Sequence, residues 1–207
     1  MIVVKNLTKQ YKAGVPIFSD LNYTFKEGRG IGLVGANGSG KTTFLRIMSV
    51  NSFPTSGTVT YNGSDIHKKP SPFLQNVGLV HDEETLPLHL TAVELLQWVL
   101  KTRGLWNQDS DVAIEDMFAK LSLSDCNEPI GTYSTGMKKK TQIAAAMILW
   151  PKILILDEPM RGLDQSTRDI VHKMLNEAKK NNTLILMASH SMNVNDLFFD
   201  EILEFPL

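Results

Sequence analysis

The stretch "GANGSGKT", residues 35–42, stands between a short apolar run, "GIGLV", and an apolar-periodic segment, "FLRIM". This order of strand, glycine-rich loop, Gly-Lys-Thr and helix is typical of a loop that binds phosphate. Backbone N–H groups can surround a phosphate only where no Cβ blocks close approach, and Gly35, Gly38 and Gly40 leave that space. The following helix directs its N–H groups and positive dipole at the same point. The sequence therefore predicts a strand, a loop and a helix that together hold a polyphosphate.

Two side chains at the end of this loop are suited to bind the phosphates and a Mg²⁺ ion. Lys41 adds a full positive charge for the β- and γ-phosphates. Thr42 offers a hydroxyl to Mg²⁺, which takes most of its remaining ligands from phosphates and water. The alternative, a glycine turn before a core helix, accounts for isolated glycines but not for the whole pattern.

Composition limits the classes of partner. The 207-residue chain has a formal net charge of -1, so no overall positive field attracts nucleic acid, and we expect no nucleic-acid partner. The basic cluster Lys138–Lys140 is interpreted as a solvated helix face. Cys126 is the only cysteine, which excludes an internal disulfide and fits a reducing compartment. Because no apolar stretch approaches the roughly 18 residues of a membrane span, we expect a cytoplasmic chain that reaches a membrane only through a partner.

Strands and helices are predicted in separate parts of the chain. Apolar alternation indicates strands in "MIVVKNLTKQY", "FSDLNYTFKEG", "GTVTYNG" and "NVGLVH". A helical period then begins at a capping box, Thr91-x-x-Glu94, and ends at Gly104. Two more helices follow in "SDVAIEDMFAKLSL" and "TGMKKKTQIAAAMILW", the second ended by Pro151.

The last third of the chain returns to strands. "KILILDEP" and "TLILMASH" are almost uninterrupted apolar runs, separated by a helical segment from about Thr167 to Lys180. Runs of this kind are typical of strands buried on both faces of a parallel sheet. The layout is therefore an α/β core interrupted by a helical insert at about residues 83–148.

Two adjacent carboxylates end the first of these buried strands. Ligands collect at this end of the strands in parallel α/β sheets, so Asp157 and Glu158 are candidate site residues. Asp157 would hold the Mg²⁺ shell, as the corresponding aspartate does in phosphate-loop nucleotidases. Glu158 would face the attacking water as a general base. An ordinary polar strand end is the alternative for these two residues.

Five motifs, "NGSGKTT", "YSTGMKKK", "ILILDEP", "RGLD" and "ASH", occur in the order and spacing of the ATP-binding cassette (ABC) ATPases. The chain resembles that family over essentially its whole length. The resemblance implies ATP and Mg²⁺ as cofactors and ATP hydrolysis as the activity. It implies an α/β fold with a phosphate-loop (RecA-like) mixed sheet core, a helical subdomain insert and an N-terminal antiparallel β subdomain. Residues 1–207 would form a single nucleotide-binding domain, with its core at 1–82 and 149–207.

The resemblance also assigns roles to matching positions. Lys41, Glu158 and His190 of "ASH" would be catalytic, His190 resembling the switch histidine beside the γ-phosphate. Tyr11 resembles the aromatic residue that stacks on adenine. Metal ligands would be Thr42, Asp82 and Asp157. Nucleotide contacts would lie along the loop, at Gly35, Asn37, Gly38, Ser39, Gly40, Lys41, Thr42 and Thr43.

A second protomer is implied by the motif "YSTGMK". Ser134 and Gly136 resemble the signature residues that contact the γ-phosphate held by the opposite protomer, and Asp164 of "RGLD" resembles the loop that crosses the dimer interface. The signature begins a helix, and a helix N-terminus is an anion site. Since this one faces outward with no phosphate of its own chain to bind, it implies a partner chain.

The sequence departs from the family pattern at several positions. Thr135 and Met137 replace a glycine and a glutamine of the signature. Asp82 stands where the family usually has a glutamine, at the joint between core and insert, and its carboxylate can still reach Mg²⁺ or a water bound to it. Met160 and Arg161 replace small residues before Gly-Leu-Asp, and the sequence gives no physical account of Arg161.

Two functions are compatible with these motifs. The first is the energy-supplying subunit of a transporter, which pairs with a second ABC protomer and an integral membrane permease and lies on the inner face of the cell membrane. The second is a soluble ABC ATPase that acts in cofactor assembly or as a regulatory module. DNA-acting members carry a long coiled coil and ribosome-acting members carry two cassettes, and this sequence has neither. "HDEETLPLHLTAVELL" and "YSTGMKKK" resemble export-type cassettes.

Overall fold

The fold is built from antiparallel and parallel β-strands together with helices. The computed structural model describes residues 1–83, 85–124, 126–189 and 198–206. In chain order the strands are β1 (Ile2–Lys12), β2 (Val15–Phe25), β3 (Gly30–Val34), β4 (Ser56–Tyr61), β5 (Ser64–Asp65), β6 (Val77–Val80), β7 (Ile153–Asp157), β8 (Leu184–Ala188) and β9 (Glu201–Glu204). The helices are α1 (Lys41–Met48), α2 (Pro70–Leu74), α3 (Ala92–Thr102), α4 (Ser110–Lys120), α5 (Thr135–Met147) and α6 (Gln165–Lys180).

The strands form one antiparallel and one parallel sheet. The antiparallel sheet has the order β2-β1-β4-β5. The parallel sheet has the order β6-β7-β8-β3-β9. Since its strands run in one direction, the loops after β3, β6 and β7 meet at the same edge. The predicted fold class is confirmed, with antiparallel and parallel pairing divided between the two sheets.

The central strands of the parallel sheet are buried on both faces, as their apolar runs predict. Ile153 and Ile155 of β7 pack in a core with the antiparallel sheet and α1. Leu154 and Leu156, on the other face, pack in a second core with α3, α4, α5 and α6. Two apolar cores therefore support the sheet edge where the candidate site lies.

Helices α3, α4 and α5 lie within the segment predicted as a helical insert. Helix α3 packs against both α4 and α5, and α5 also packs on β6. The capping box of α3 is complete: Thr91 Oγ1 accepts the Glu94 N–H at 3.1 Å, and the Glu94 carboxylate accepts the Thr91 N–H at 2.9 Å. The start of this helix was therefore correctly predicted.

The interpretation of Lys138–Lys140 as a solvated face is wrong for its central residue. Lys139 is only 2% exposed, and its Nζ donates to the His81 carbonyl oxygen at 2.9 Å. Three consecutive helix residues cannot share one solvent face, because a helix has about 3.6 residues per turn. The buried ammonium instead ties α5 to the loop after β6.

We expect Thr91→Ala to lower the free energy of unfolding by about 1 kcal/mol, because the first turn of α3 loses its side-chain acceptor. Thr91→Ser retains the hydroxyl and serves as the matched control. Urea unfolding followed by circular dichroism measures both variants. Equal losses in the two variants would contradict a capping role for the hydroxyl.

Candidate functional site

Two glycines shape the loop between β3 and α1. Gly40 is the N-cap of α1 with φ +109°, and a Cβ there would lie 2.5 Å from Ile17 Cγ2. A Cβ at Gly35 would lie 2.5 Å from the Phe205 carbonyl oxygen. Larger residues are therefore excluded at both positions, and the loop packs closely against β2 and the segment after β9.

The loop carries donors that suit an anion. Lys41 is buried, and its Nζ donates to the carbonyl oxygens of Gly35 at 2.7 Å and Ala36 at 3.0 Å. The Ser39 Oγ is buried and has no hydrogen-bond partner within the described ranges. A cavity of about 190 Å³ is lined by residues 37–43. These groups fit a polyphosphate at the N-terminus of α1.

The three predicted metal ligands line one cavity of about 400 Å³ beside the loop: Thr42, Asp82 and Asp157. Burial raises the pKa of Asp157; a hydrogen bond from Thr42 opposes this effect, and the nearby charge of Asp82 adds to it. One hydroxyl and two carboxylates are hard oxygen donors that suit Mg²⁺. The described part of the chain has no cluster of three His, Cys, Asp or Glu side chains that could hold a metal unaided.

Glu158 follows Asp157 in a strained turn at the end of β7. Its φ is +49°, which non-glycine residues rarely adopt. Its N–H donates to the Ala188 carbonyl at 3.0 Å, and its own carbonyl accepts the Arg161 N–H at 3.2 Å. Backbone strain of this kind persists where its surroundings hold it, and it is concentrated at functional sites.

The structure gives Arg161 a partner that the sequence did not indicate. Arg161 Nη1 lies 2.9 Å from Asp82 Oδ1 in an ion pair. The residues are 79 positions apart and meet because β6 and β7 are neighbours in the parallel sheet. The available signal was indirect: both positions depart from the family pattern.

Ser134 and Gly136 lie at the N-terminus of α5. Ser134 is exposed, and its side chain accepts the Met137 N–H at 3.3 Å. A Cβ at Gly136 would lie 3.0 Å from the Gly162 carbonyl oxygen. Neither Ser134 nor Gly136 is among the residues that line the two cavities at the phosphate loop. The structure therefore does not bring the signature residues to the loop of their own chain.

Asp164 is the N-cap of α6. Its carboxylate accepts the Ser166 hydroxyl at 2.6 Å and the Thr167 N–H at 2.9 Å. These hydrogen bonds hold the pKa of Asp164 well below its ordinary value. The residue thus fixes the start of α6, immediately after the "RGLD" loop.

Tyr11 is exposed near the end of β1, where the register pairs its neighbour Gln10 with Pro16 of β2. The adjacent Ile17 is the residue that approaches the phosphate loop at Gly40. Tyr11 is therefore close in the sheet to a segment that touches the loop. The predicted catalytic His190 lies outside the described residues.

Comparison with known families identifies the chain. The model of the ABC transporter family matches residues 18–161. The chain belongs to the ABC transporter family. The ABC transporter ATP-binding protein NatA of Bacillus subtilis (strain 168) is 32% identical over 208 residues, which cover 98% of this chain and 85% of NatA. This ABC protein is accordingly an ATP-binding subunit of an ABC transporter, with the ATPase activity of its family.

Solved structures of ABC cassettes have the same fold. The ATP-binding subunit of an ABC transporter superposes with a TM-score of 0.91 at 24% identity, covering 99% of this chain and 85% of that one. A dimeric bacterial ABC transporter cassette superposes with a TM-score of 0.88 at 24% identity. The match covers 99% of this chain and 94% of the cassette. At this level of identity the likeness establishes the fold alone.

The ABC cassette has a mainly apolar groove next to the loop that carries Asp82. It has a volume of about 520 Å³ and is lined by residues that include Leu79, Leu86, Leu95 and Trp98. Trp98 is 59% exposed. None of the described helices is long and apolar enough to span a membrane.

Proposed function

We propose that two copies of this subunit close around two molecules of Mg²⁺·ATP, hydrolyse them and thereby drive a separately encoded integral membrane permease. The observation that carries the proposal is the placement of Ser134 and Gly136 outside the cavities of their own phosphate loop. The N-terminus of α5 can bind an anion, and a second copy would supply its phosphate. The dimeric cassette of the same fold supports this arrangement.

Nucleotide binding would draw on the donors already present in the loop. Lys41 would exchange the carbonyl oxygens of Gly35 and Ala36 for the β- and γ-phosphates, and loop N–H groups would hold the same phosphates. Tyr11 would stack on the adenine. The remaining contacts are proposed at Asn37, Gly38, Ser39, Gly40, Thr42 and Thr43.

Hydrolysis would depend on the carboxylates at the end of β7. Glu158 would accept the proton of the attacking water, and its fixed turn would hold it in place for that transfer. Thr42, Asp157 and Asp82 would hold Mg²⁺, which supplies neutralisation of charge at the β- and γ-phosphates. For His190, the γ-phosphate role is supported by the resemblance of "ASH" alone, and the same holds for Asp164 at the dimer interface.

The permease would dock on the helical side of the subunit. We assign residues at about 83–148 to a helical subdomain and the remainder of the chain to the core. The apolar groove lined by Trp98 lies between the core and the helical subdomain. A helix of the permease would bind in this groove. Such docking would place the subunit on the inner face of the membrane. An export direction is favoured by the resemblance of "HDEETLPLHLTAVELL" to export-type cassettes.

Mixing two inactive variants tests the shared site. Ser134→Arg would block the signature, and Lys41→Ala would disable the loop. A mixed dimer gathers both substitutions at one composite site and leaves the other site with an intact Lys41 and an intact Ser134. We therefore expect mixing to restore part of the ATP hydrolysis that each variant lacks alone.

A dilution series provides the control for this experiment. Because only dimers would be competent, the activity of the parent should rise faster than linearly with protein concentration at low concentration. Strictly linear activity down to nanomolar protein, together with no restoration on mixing, would contradict the shared site.

A further inference from the structure

The ion pair between Asp82 and Arg161 joins two loops of the nucleotide site. Asp82 follows β6 and Arg161 follows β7, at the same edge of the parallel sheet. Their charged atoms are 2.9 Å apart, and the side chains are 37% and 68% exposed, respectively. An ion pair this exposed contributes little to the stability of the fold. We therefore consider what the pair does at the nucleotide site.

The main chain around Asp82 is fixed independently of this pair. Lys139 Nζ donates to the His81 carbonyl at 2.9 Å, and Gln142 Nε2 donates to the Glu83 carbonyl at 3.0 Å. Both donors are buried residues of α5. The carbonyl groups of the two residues that flank Asp82 are therefore anchored to α5, and the Asp82 carboxylate is held by Arg161.

Arg161 is itself anchored to the turn of the proposed base. Its N–H donates to the Glu158 carbonyl at 3.2 Å. The next residue, Gly162, has φ +77°, so the chain turns sharply after Arg161. The guanidinium thus extends from a fixed backbone to the Asp82 carboxylate.

Asp82 and Asp157 line the same cavity as Thr42. Two carboxylates in one cavity repel each other, and the charge of Asp82 adds to burial in raising the pKa of Asp157. Arg161 offsets one of these charges. Because Arg161 holds Asp82 Oδ1, an oxygen that Asp82 offers to a metal ion while the pair lasts belongs to a carboxylate whose charge is already partly neutralised.

We propose that Arg161 is a positioning residue of the nucleotide site: by holding Asp82, it limits the contribution of that carboxylate to Mg²⁺ binding with ATP. This inference rests on the proposed Mg²⁺·ATP site. The glutamine that the family usually has at this position is neutral and a weak ligand, whereas a free carboxylate is a strong one. Paired with Arg161, Asp82 becomes closer to a neutral ligand, so the two departures from the family pattern compensate each other.

The metal contribution can be measured with a fluorescent, non-hydrolysable ATP analogue. The contribution of Mg²⁺ to analogue binding is the ratio of two dissociation constants of the analogue, the one in EDTA divided by the one in excess Mg²⁺. Arg161→Gln is expected to raise this ratio about threefold, within the range that an exposed ion pair permits. Arg161→Lys retains the charge and should stay close to the parent. In the Asp82→Asn background, Arg161→Gln should have no effect, because Arg161 acts through Asp82.

Arg168→Gln separates this effect from the general loss of a positive charge. Arg168 Nε donates to the Leu163 carbonyl at 3.0 Å, close in sequence to Arg161, and this variant should leave the ratio unchanged. An unchanged or lowered ratio in Arg161→Gln, or an equal rise in the Asp82→Asn background, would overturn the proposal. If Mg²⁺ fails to tighten analogue binding even in the parent, the proposed metal site itself is wrong, and this inference fails with it.

Discussion

Replacing Glu158 with Gln is expected to lower ATP turnover by about 10²-fold or more while leaving ATP binding intact. Loss of a general base has an effect of this size. Gln keeps the length and most of the hydrogen-bonding capacity of the side chain, so the turn between Asp157 and Arg161 should persist. Release of phosphate under saturating ATP measures turnover, and a fluorescent ATP analogue measures binding.

Glu177→Gln is the matched control for that variant. Glu177 is an exposed carboxylate on α6, so its loss should leave turnover unchanged. Turnover of Glu158→Gln within a few-fold of the parent would exclude Glu158 as the base. The two carboxylates of "LDEP" would then need a different division of roles.

Replacing Lys41 with Ala is expected to weaken ATP binding by about 10²-fold or more, since each charge-assisted contact to phosphate contributes roughly 1.5–3 kcal/mol. The effect falls on the ground state as well as on the transition state, which distinguishes this variant from Glu158→Gln. Titration with the fluorescent analogue measures it. Lys173→Ala, an exposed lysine of α6, is the control for loss of a positive charge.

The expected loss depends on where the ammonium lies. Lys41 Nζ donates to two carbonyl oxygens of the loop, and Lys41 lines the cavity that a phosphate would enter. Unchanged affinity in Lys41→Ala would mean that loop N–H groups hold the nucleotide alone. Loss of folded structure would be detected by circular dichroism before any binding result is interpreted.

The sequence predicted best those features whose causes lie in consecutive residues. The phosphate loop, the capping box at Thr91 and the buried runs of β7 and β8 depend on local residue types, and the structure has all three. The division into an antiparallel β subdomain and a phosphate-loop core followed from the resemblance to a family. The order of the strands was not predicted, because parallel pairing joins strands that are far apart in the chain.

Features that depend on tertiary contacts escaped prediction. Strand β9 has only four residues with charged ends, and it forms because β3 offers an edge for pairing. Helix α2, in "PSPFL", has only five residues, too few to show an apolar period, although a proline suits the first position of a helix. The positive φ of Glu158 could not be predicted, because glutamate is not a residue type that favours this conformation.

The same reason explains the misjudged lysine and the missed ion pair. Buried Lys139 donates to the His81 carbonyl, 58 residues earlier in the chain, and Arg161 pairs with Asp82 because β6 and β7 are adjacent. Neither partner can be found from spacing along the chain. Within the site, sequence reasoning therefore supplied candidates, and the structure supplied the contacts among them.

The central claim is that each nucleotide is shared between two chains, and the mass of Glu158→Gln in solution tests it most directly. Sedimentation equilibrium with Mg²⁺ and saturating ATP should give twice the monomer mass of 23.1 kDa, whereas omission of ATP should give the monomer. Adding Ser134→Arg to the same chain should abolish the ATP-dependent dimer without weakening the binding of ATP to the monomer. A monomer mass for Glu158→Gln at saturating ATP, at protein concentrations where the parent hydrolyses ATP, would contradict the shared site.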